Sequence, residues 1–516
     1  MPACATGETI PETAPISNLF LPVPDTDFRD FLDEVAELLR FAPEITTAIE
    51  GDLDSHALAK KKLRMEDRKF FESRTEDLPE LQITERKPSK DELTLEIGRP
   101  RMAAEAVYVF LMLRGFLGSL STKQSRRFLR ESMSLYGWLQ SRGLHMPGVS
   151  TILDNLNVIS QQTRELIFDR QIARILGEGL DDFKALTIDS TSVKANSSWP
   201  NDAKILTGLL MRMDRLGQKL DVFGLENFRR GWVPRWLEEM DKLEFQICLV
   251  AGKANSKAKL KQGYRQLLRR GKKALAALKV EFNAFESTVQ IDTFVPSRRV
   301  LLQRVIEQIK SDLSDAQRVI DYASDRVFHE KKLPSTEKVL SLSDGSAAYI
   351  KKGNRNPMIG YKPQLVRSDN GFVTSLLVPE GNAADAVKLV PAIADSIQRT
   401  GVVADLVSTD DGYASAKGRD DLREMGIATV SISGAKGKKL TTLEDWESQA
   451  YRDARRYRSA VESLMFTIKD GFAFGELGRR GIDAVRAELL EKVLAYNCCR
   501  SILLRQRQRE KLEAAA

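Results

Sequence analysis

Three acidic residues in this chain stand where chemistry on a divalent cation could be done. Val402–Tyr413 reads VVADLVSTDDGY, an apolar run that closes on Asp410 and Asp411 and then Gly412. That is the pattern of a buried strand whose carboxyl end delivers a carboxylate to an open site. Ala185–Asp189 (ALTID) is a second apolar run ending on an acid, and Tyr451–Lys469 (YRDARRYRSAVESLMFTIK) reads as a helix carrying Glu462. Carboxylates are hard oxygen ligands suited to Mg2+, which is commonly held by one or two of them together with substrate phosphate oxygens. Two such ions roughly 4 Å apart activate a nucleophile and stabilise a leaving oxygen in phosphoryl transfer, with no protein nucleophile required.

Composition narrows the alternatives. Only three histidines occur in 516 residues (His56, His145 and His329), far apart, which disfavours a His-rich zinc site or a His-based triad. Four cysteines, two of them adjacent at Cys498 and Cys499, make no disulfide framework in a chain this long and fit a reducing, cytoplasmic setting. The first residues lack the basic start and long apolar core of a signal peptide, and no apolar stretch is long enough to span a bilayer. No membrane partner is expected. The formal net charge is +7, so only its distribution can speak for a polyanion.

The elements that must position the acids follow from periodicity. Residues 1–100 read as a mobile Pro/Thr-rich arm, a helical pattern from Thr26 to Arg40 and a charged stretch, part helix and part linker, broken at Pro100. Residues 101–180 read as short helices; Arg126 and Arg127 lie in a basic one capped by Thr122, and a turn falls at Met146–Gly148. These features suit a helix-turn-helix DNA reader, and equally a helical bundle with a solvated basic face. Residues 181–204 hold the Asp189 strand and then Trp199, Pro200 and Asp202.

Residues 205–330 read as a helical insertion. Between Lys253 and Lys279 it carries ten cations and no Asp or Glu. A charge run is usually a solvated face, but one this one-sided favours phosphate contacts, from Lys257, Lys261, Arg265, Arg269, Arg270 and Lys273. Residues 331–475 return to strands at Val339–Ile350, Gly360–Val366 and Gly371–Val378, the last two forming a hairpin. A helix Asn382–Gln398, the Asp410 strand, a helix Ser415–Met425 and a strand Ile427–Ile432 follow. Gly434–Lys439 reads as a flexible basic loop with Lys436 and Lys438, and Leu443–Lys469 as a helix. Residues 476–516 are the closing helices, Ile482–Arg507 chief among them. The order describes an α/β, ribonuclease-H-like core with helical pieces attached before it and inserted after its first strand.

On the Glu462 helix, at about 100° per residue, Arg458, Glu462 and Lys469 fall within about 40° of one another, with Tyr451 in the same sector. Val461, Leu464, Met465 and Ile468 occupy the neighbouring sector. One stripe would pack on the sheet while its edge presents an acid flanked by cations. The plain alternative is an Arg–Glu pair four residues apart on an exposed face.

Four stretches in this order carry a family resemblance. They are IDSTSVKANSSWPNDAKIL (188–206); VLSLSDGSAAYIKKG (339–353) with PEGNAAD (379–385); STDDGYAS (408–415); and YRSAVESLMFTIKDGFAFGELGRRG (457–481) with AYNCCRS (495–501). Over roughly 100–505 the chain resembles a DDE insertion-sequence transposase of the ISNCY-like type, within the class whose last acid sits in a Tyr-Arg-Glu-Lys helix. Arg458, Glu462 and Lys469 match that signature, whereas Arg455 stands where it has tyrosine. The resemblance selects Asp410 over Asp411. It implies Asp189, Asp410 and Glu462 as catalytic metal ligands for two Mg2+ ions, with Mn2+ substituting. It implies Arg458 and Lys469 on end phosphates. The partners would be double-stranded DNA, as terminal inverted repeats and as target, bound by a homodimer in a synaptic complex. The setting would be the bacterial cytoplasm, at the nucleoid. Trp199 would stack on a terminal or flipped base, or simply pack beside Pro200. A nuclease without strand transfer, an inactive DNA-binding derivative and a metal-free tyrosine recombinase are the competing readings.

Overall fold

The computed structural model describes residues 27–75, 101–120, 123–199, 201–222, 230–351 and 356–515. The expected arm of residues 1–25, the linker over 76–99, the break at Pro100, the Thr122 cap and Pro200 lie outside the described residues. In chain order the helices begin with α1 (Phe28–Phe41), α2 (Glu44–Thr75), α3 (Ala104–Phe116), α4 (Lys123–Glu131), α5 (Met133–Gln140), α6 (Val149–Leu156) and α7 (Gln161–Gly177). Strands β1 (Ala185–Ser190) and β2 (Val193–Lys194) precede α8 (Asp202–Val222), α9 (Val233–Val250), α10 (Lys257–Thr288) and α11 (Pro296–Phe328). Next come β3 (Ala348–Ile350), β4 (Met358–Tyr361), β5 (Gln364–Ser368), β6 (Val373–Leu377), α12 (Asp385–Thr400), β7 (Leu406–Thr409), α13 (Ala416–Glu424) and β8 (Thr429–Ile432). The chain continues through α14 (Ala435–Leu440), α15 (Leu443–Glu447), α16 (Gln449–Gly471) and α17 (Ile482–Ala515).

Two compact units emerge, Met1–Asp52 with Met102–Ala195 and Tyr361–Ala516, and Leu53–Arg101 with Asn196–Gly360. The first is built on a five-stranded sheet in the order β6-β5-β1-β7-β8. β1–β5 and β5–β6 are antiparallel, while β1–β7 and β7–β8 are parallel. The near-continuous apolar runs of β1 and β7 are explained by cover on both faces. On one face Leu186, Ile188 and Val407 join a core with Leu389, Ile393 and Leu422 from α12 and α13. On the other face α16 packs across β1, β7 and β8. Between β5 and β6 the chain reverses at Asp369–Gly371, where Gly371 at φ +90° lets its N–H return to the Ser368 carbonyl at 3.0 Å.

Helix α17 is the centre of the same unit, buried on every side from Leu489 to Ser501. Its charged residues survive burial because each has partners. Glu491 takes the guanidinium of Arg114 at 2.6 Å, of Arg164 at 2.7 Å and of Arg479 at 2.5 Å. α3 crosses so closely that a Cβ on Gly115 would sit 2.0 Å from the Glu491 carbonyl oxygen. The second unit has a separate core, in which Leu206, Met240, Leu267, Leu275 and Ile320 join α8, α9, α10 and α11. β3 and β4 pair antiparallel there, with Tyr349 opposite Ile359.

Four expected elements take another form. The strand expected over Gly360–Val366 is divided between β4 and β5, which belong to different sheets. Of Val339–Ile350 only Ala348–Ile350 is strand. The Ser341 hydroxyl accepts from the N–H groups of Ser343 at 3.2 Å and Asp344 at 3.0 Å, a local turn that competes with a ladder. The run Leu443–Lys469 is two helices, because Ser448 ends α15 and caps α16 by accepting from Tyr451 N at 3.2 Å. The Gly434–Lys439 loop is instead the start of helix α14. The Asp411 carboxylate accepts from Lys436 N at 2.8 Å and Gly437 N at 3.0 Å, which satisfies N–H groups that a six-residue helix otherwise leaves unpaired. Among the described residues no helix is long and apolar enough to cross a membrane.

Candidate active site

β1 and β7 run side by side, with Thr187 opposite Ser408. Asp189 and Asp410 each stand two residues beyond that pair, Asp189 still in β1 and Asp410 just past the end of β7. By strand alternation Asp189 shares the α16 side with Thr187, whose hydroxyl donates to the Tyr457 carbonyl at 3.5 Å. Asp189 is buried, with 9% of its surface exposed. It accepts from Ser190 N at 2.6 Å. Asp410 lies where β7 gives way to a 3-10 turn over Asp411–Tyr413, and it accepts from Gly412 N at 2.9 Å. Asp411 turns away to cap α14, so the two neighbouring acids are separated by function as well as by direction.

The structure adds residues that sequence reasoning missed. The buried Tyr413 hydroxyl donates to Gln364 Oε1, and Gln364 Nε2 donates to Asp385 Oδ1 at 3.0 Å. Lys362 Nζ completes the group at 2.8 Å from the Asp385 carboxylate. Burial pushes the Tyr413 phenol far above its ordinary value, and the charges of Asp385, Asp189 and Asp410 push it the same way. A Cβ placed on Gly412 would lie 3.0 Å from Asp410 Oδ1 and 3.4 Å from Asp385 Oδ2, so those two acids face the same small space. Asp385 was legible only as the end of PEGNAAD and the first residue of a helix, where an acid is ordinary.

Glu462 is placed differently. It sits on the outer edge of α16 with 61% of its side chain exposed, paired with Arg458 at 3.1 Å. Among the described residues no three His, Cys, Asp or Glu side chains are grouped to hold a metal ion, so Glu462 does not stand with Asp189 and Asp410. The Arg–Glu pairing at one helical turn accounts for its position. Arg458 is only 30% exposed, and its Nε finds no partner among the described residues. The stem of Lys469 lies beside Gly475. Tyr451 is buried and faces inward: its hydroxyl accepts from Ile432 N at 3.0 Å and lies 3.0 Å from the Thr441 hydroxyl. Arg455 covers the Trp446 ring at 4.2 Å and donates to the Trp446 carbonyl at 3.0 Å.

The remaining candidates lie apart from this group. Arg126 and Arg127 are exposed on α4, as are Lys436 and Lys438 on α14. In the second unit Trp199, 55% exposed, meets Tyr349 edge-on at 6.4 Å between ring centres. It lines a cavity of about 570 Å³ with Tyr264, Lys257, Lys261 and Arg326. Lys257 and Lys261 both reach Glu330, at 2.6 and 3.4 Å, and Arg270 reaches Glu239 at 2.5 Å. Arg265 lies over Phe328 at 6.0 Å, whereas Arg269 and Lys273 are exposed with no ion pair among the described residues.

Residues 312–498 match a family model described as a transposase DDE domain. The matched segment runs from α11 to α17 and includes Asp385, Asp410 and Glu462, while Asp189 precedes it. No curated protein and no solved structure matches the chain.

Proposed function

We propose that this protein is a DDE transposase that binds the ends of its own element, cuts DNA and joins the freed 3′-hydroxyl to target DNA. The observation that supports the reading is the parallel pairing of β1 and β7, Thr187 opposite Ser408, with Asp189 and Asp410 two residues beyond that pair on their own segments. The transposase-domain match over 312–498 supports it. A sheet with an antiparallel β6-β5-β1 half and a parallel β1-β7-β8 half supports the ribonuclease-H-like assignment of the core.

The donor set at β1 and β7 is all carboxylate oxygen, which fits Mg2+ or Mn2+ held by one or two acids with substrate phosphates completing the shell. Asp189 and Asp410 would hold the metal, with Glu462 contributing from α16. The chemistry a divalent metal held by these acids would supply is polarisation of the scissile phosphate and activation of the attacking water or hydroxyl. The chain's own residues do the rest. Tyr413, tied through Gln364 to Asp385, fixes the turn that aims Asp410. Lys362 balances the charge of Asp385. In the DNA-free protein Arg458 holds Glu462 outward; a DNA phosphate that takes the Arg458 guanidinium frees Glu462 to turn toward the site. Lys469 is placed on the same stripe for a second phosphate. Two copies of the chain would hold the two ends.

Cleavage and strand transfer on DNA carrying the element's ends tests the reading, with Mg2+, with Ca2+ and with chelator. Mg2+-dependent products should vanish in Asp410→Asn while end binding persists. A mutant that cuts as well as wild type would remove Asp410 from the site. Binding without cutting by both proteins would leave a DNA-binding derivative as the better account.

A further inference from the structure

The ten cations between Lys253 and Lys279 are not equivalent once folded. α10 buries Leu267, Leu268, Leu275, Leu278 and Phe282 in the core of the second unit. Lys257 and Lys261 share the single carboxylate of Glu330, and Arg270 pairs with Glu239. Lys279 lines a cavity shared with Asp321, Asp325 and Glu337. Four others, Lys259, Arg269, Lys272 and Lys273, are exposed and have no ion pair among the described residues. At about 100° per residue they occupy the outer half of α10, opposite the buried stripe, over roughly 20 Å of helix.

We infer that this outer face of α10 is a track for the backbone of duplex DNA, held without regard to sequence by Lys259, Arg269, Lys272 and Lys273. A line of unpaired cations on one rigid helix releases condensed counterions when phosphates replace them. The aromatic residues of α10, Tyr264, Phe282 and Phe285, are all buried, so the face offers no platform on which unpaired bases could stack. That favours a double strand over a single one. The choice of DNA among duplex polyanions rests on the transposase reading; the track itself does not. The three paired cations have a different task, tying α10 to α9 and to the segment after α11.

The test is binding of the full chain to a random-sequence duplex in chelator, with salt varied and fluorescence anisotropy as the readout. The combined variant Lys259→Gln, Arg269→Gln, Lys272→Gln and Lys273→Gln should flatten the slope of log K against log salt by about 3 to 4, close to 0.9 per lost phosphate contact. The pair Lys257→Gln and Lys261→Gln, which share one acid, should flatten it by no more than about 1. Replacing the three lysines of the first set by arginine should restore it. An unchanged slope in the first variant, or an equal loss in both, would overturn the track. Tighter binding of duplex RNA or of single-stranded DNA than of duplex DNA would overturn the ligand. The Asp410→Asn assay separates the two readings. If wild type makes no cut yet the first variant flattens the slope, the track stands and the transposase reading falls. If wild type cuts through Asp410 yet the slopes agree, the reverse holds.

Discussion

Asp410 and Asp411 are neighbours with separate tasks, and substitution should part them. Asp411→Ala removes the carboxylate that caps α14, at a cost of about 1 kcal/mol in unfolding free energy. It should leave measurable cleavage. Asp410→Asn should leave the urea midpoint in place and lose cleavage. Asp385 has a measurable consequence of its own. Asp385→Asn keeps an oxygen for Gln364 and removes the charge opposite Lys362. One carboxylate fewer near Asp410 should raise the Mg2+ concentration for half-maximal cleavage about fivefold, close to 1 kcal/mol. An unchanged metal dependence would reduce Asp385 to a partner for Lys362 alone. The strand-end positions of Asp189 and Asp410 were legible because each closes an apolar run. Lys362, Gln364 and Asp385 were not, since they meet Tyr413 only after β5 has paired beside β1.

Among the elements, α17 shows where sequence reasoning stops. Its helical character was plain, and its burial was not, because Glu488, Glu491, Lys492 and Arg500 look like a solvated face until distant partners are placed. Burial alone would push the Glu491 carboxyl up. The guanidiniums of Arg114, Arg479 and Arg164 outweigh burial together and hold it well below the usual carboxylate range. A depressed folded value means stability that is fully present above the ordinary carboxylate value, about 4.3, and lost as pH falls through the folded one. Glu491→Gln, which strands three guanidiniums, should cost about 3–5 kcal/mol at neutral pH. The gap from wild type in urea titrations should narrow in strong acid. A gap that widened in acid would contradict the assigned role. The basic loop read at Gly434–Lys439 failed for a similar reason: nothing local announced that Asp411, more than twenty residues earlier, would cap it.

The whole molecule keeps two cores in one chain. Leu267 is fully buried in the core of the second unit. Leu267→Ala should cost about 2–5 kcal/mol there. In calorimetry of the full chain it should lower the transition of that unit and leave the other in place. A single transition that shifts as one would show that the two cores melt together. The sequence marked a helical insertion between Asp189 and the later strands, and that helical character holds. Its helices were readable from apolar periodicity; which cations its own acids would neutralise was not. The central helix of the first unit also bears on the order of events during synthesis. β1 leaves the ribosome with none of its strand partners, and α17 cannot close the unit until Ile502 has emerged. At about 5–20 residues per second, that is a wait of roughly 15 to 60 seconds. For roughly the first 70% of that interval Asp189 exists without Asp410. A nascent chain therefore passes through a long period in which an apolar strand needs shelter, and a chain released before Thr409 leaves β1 without β7.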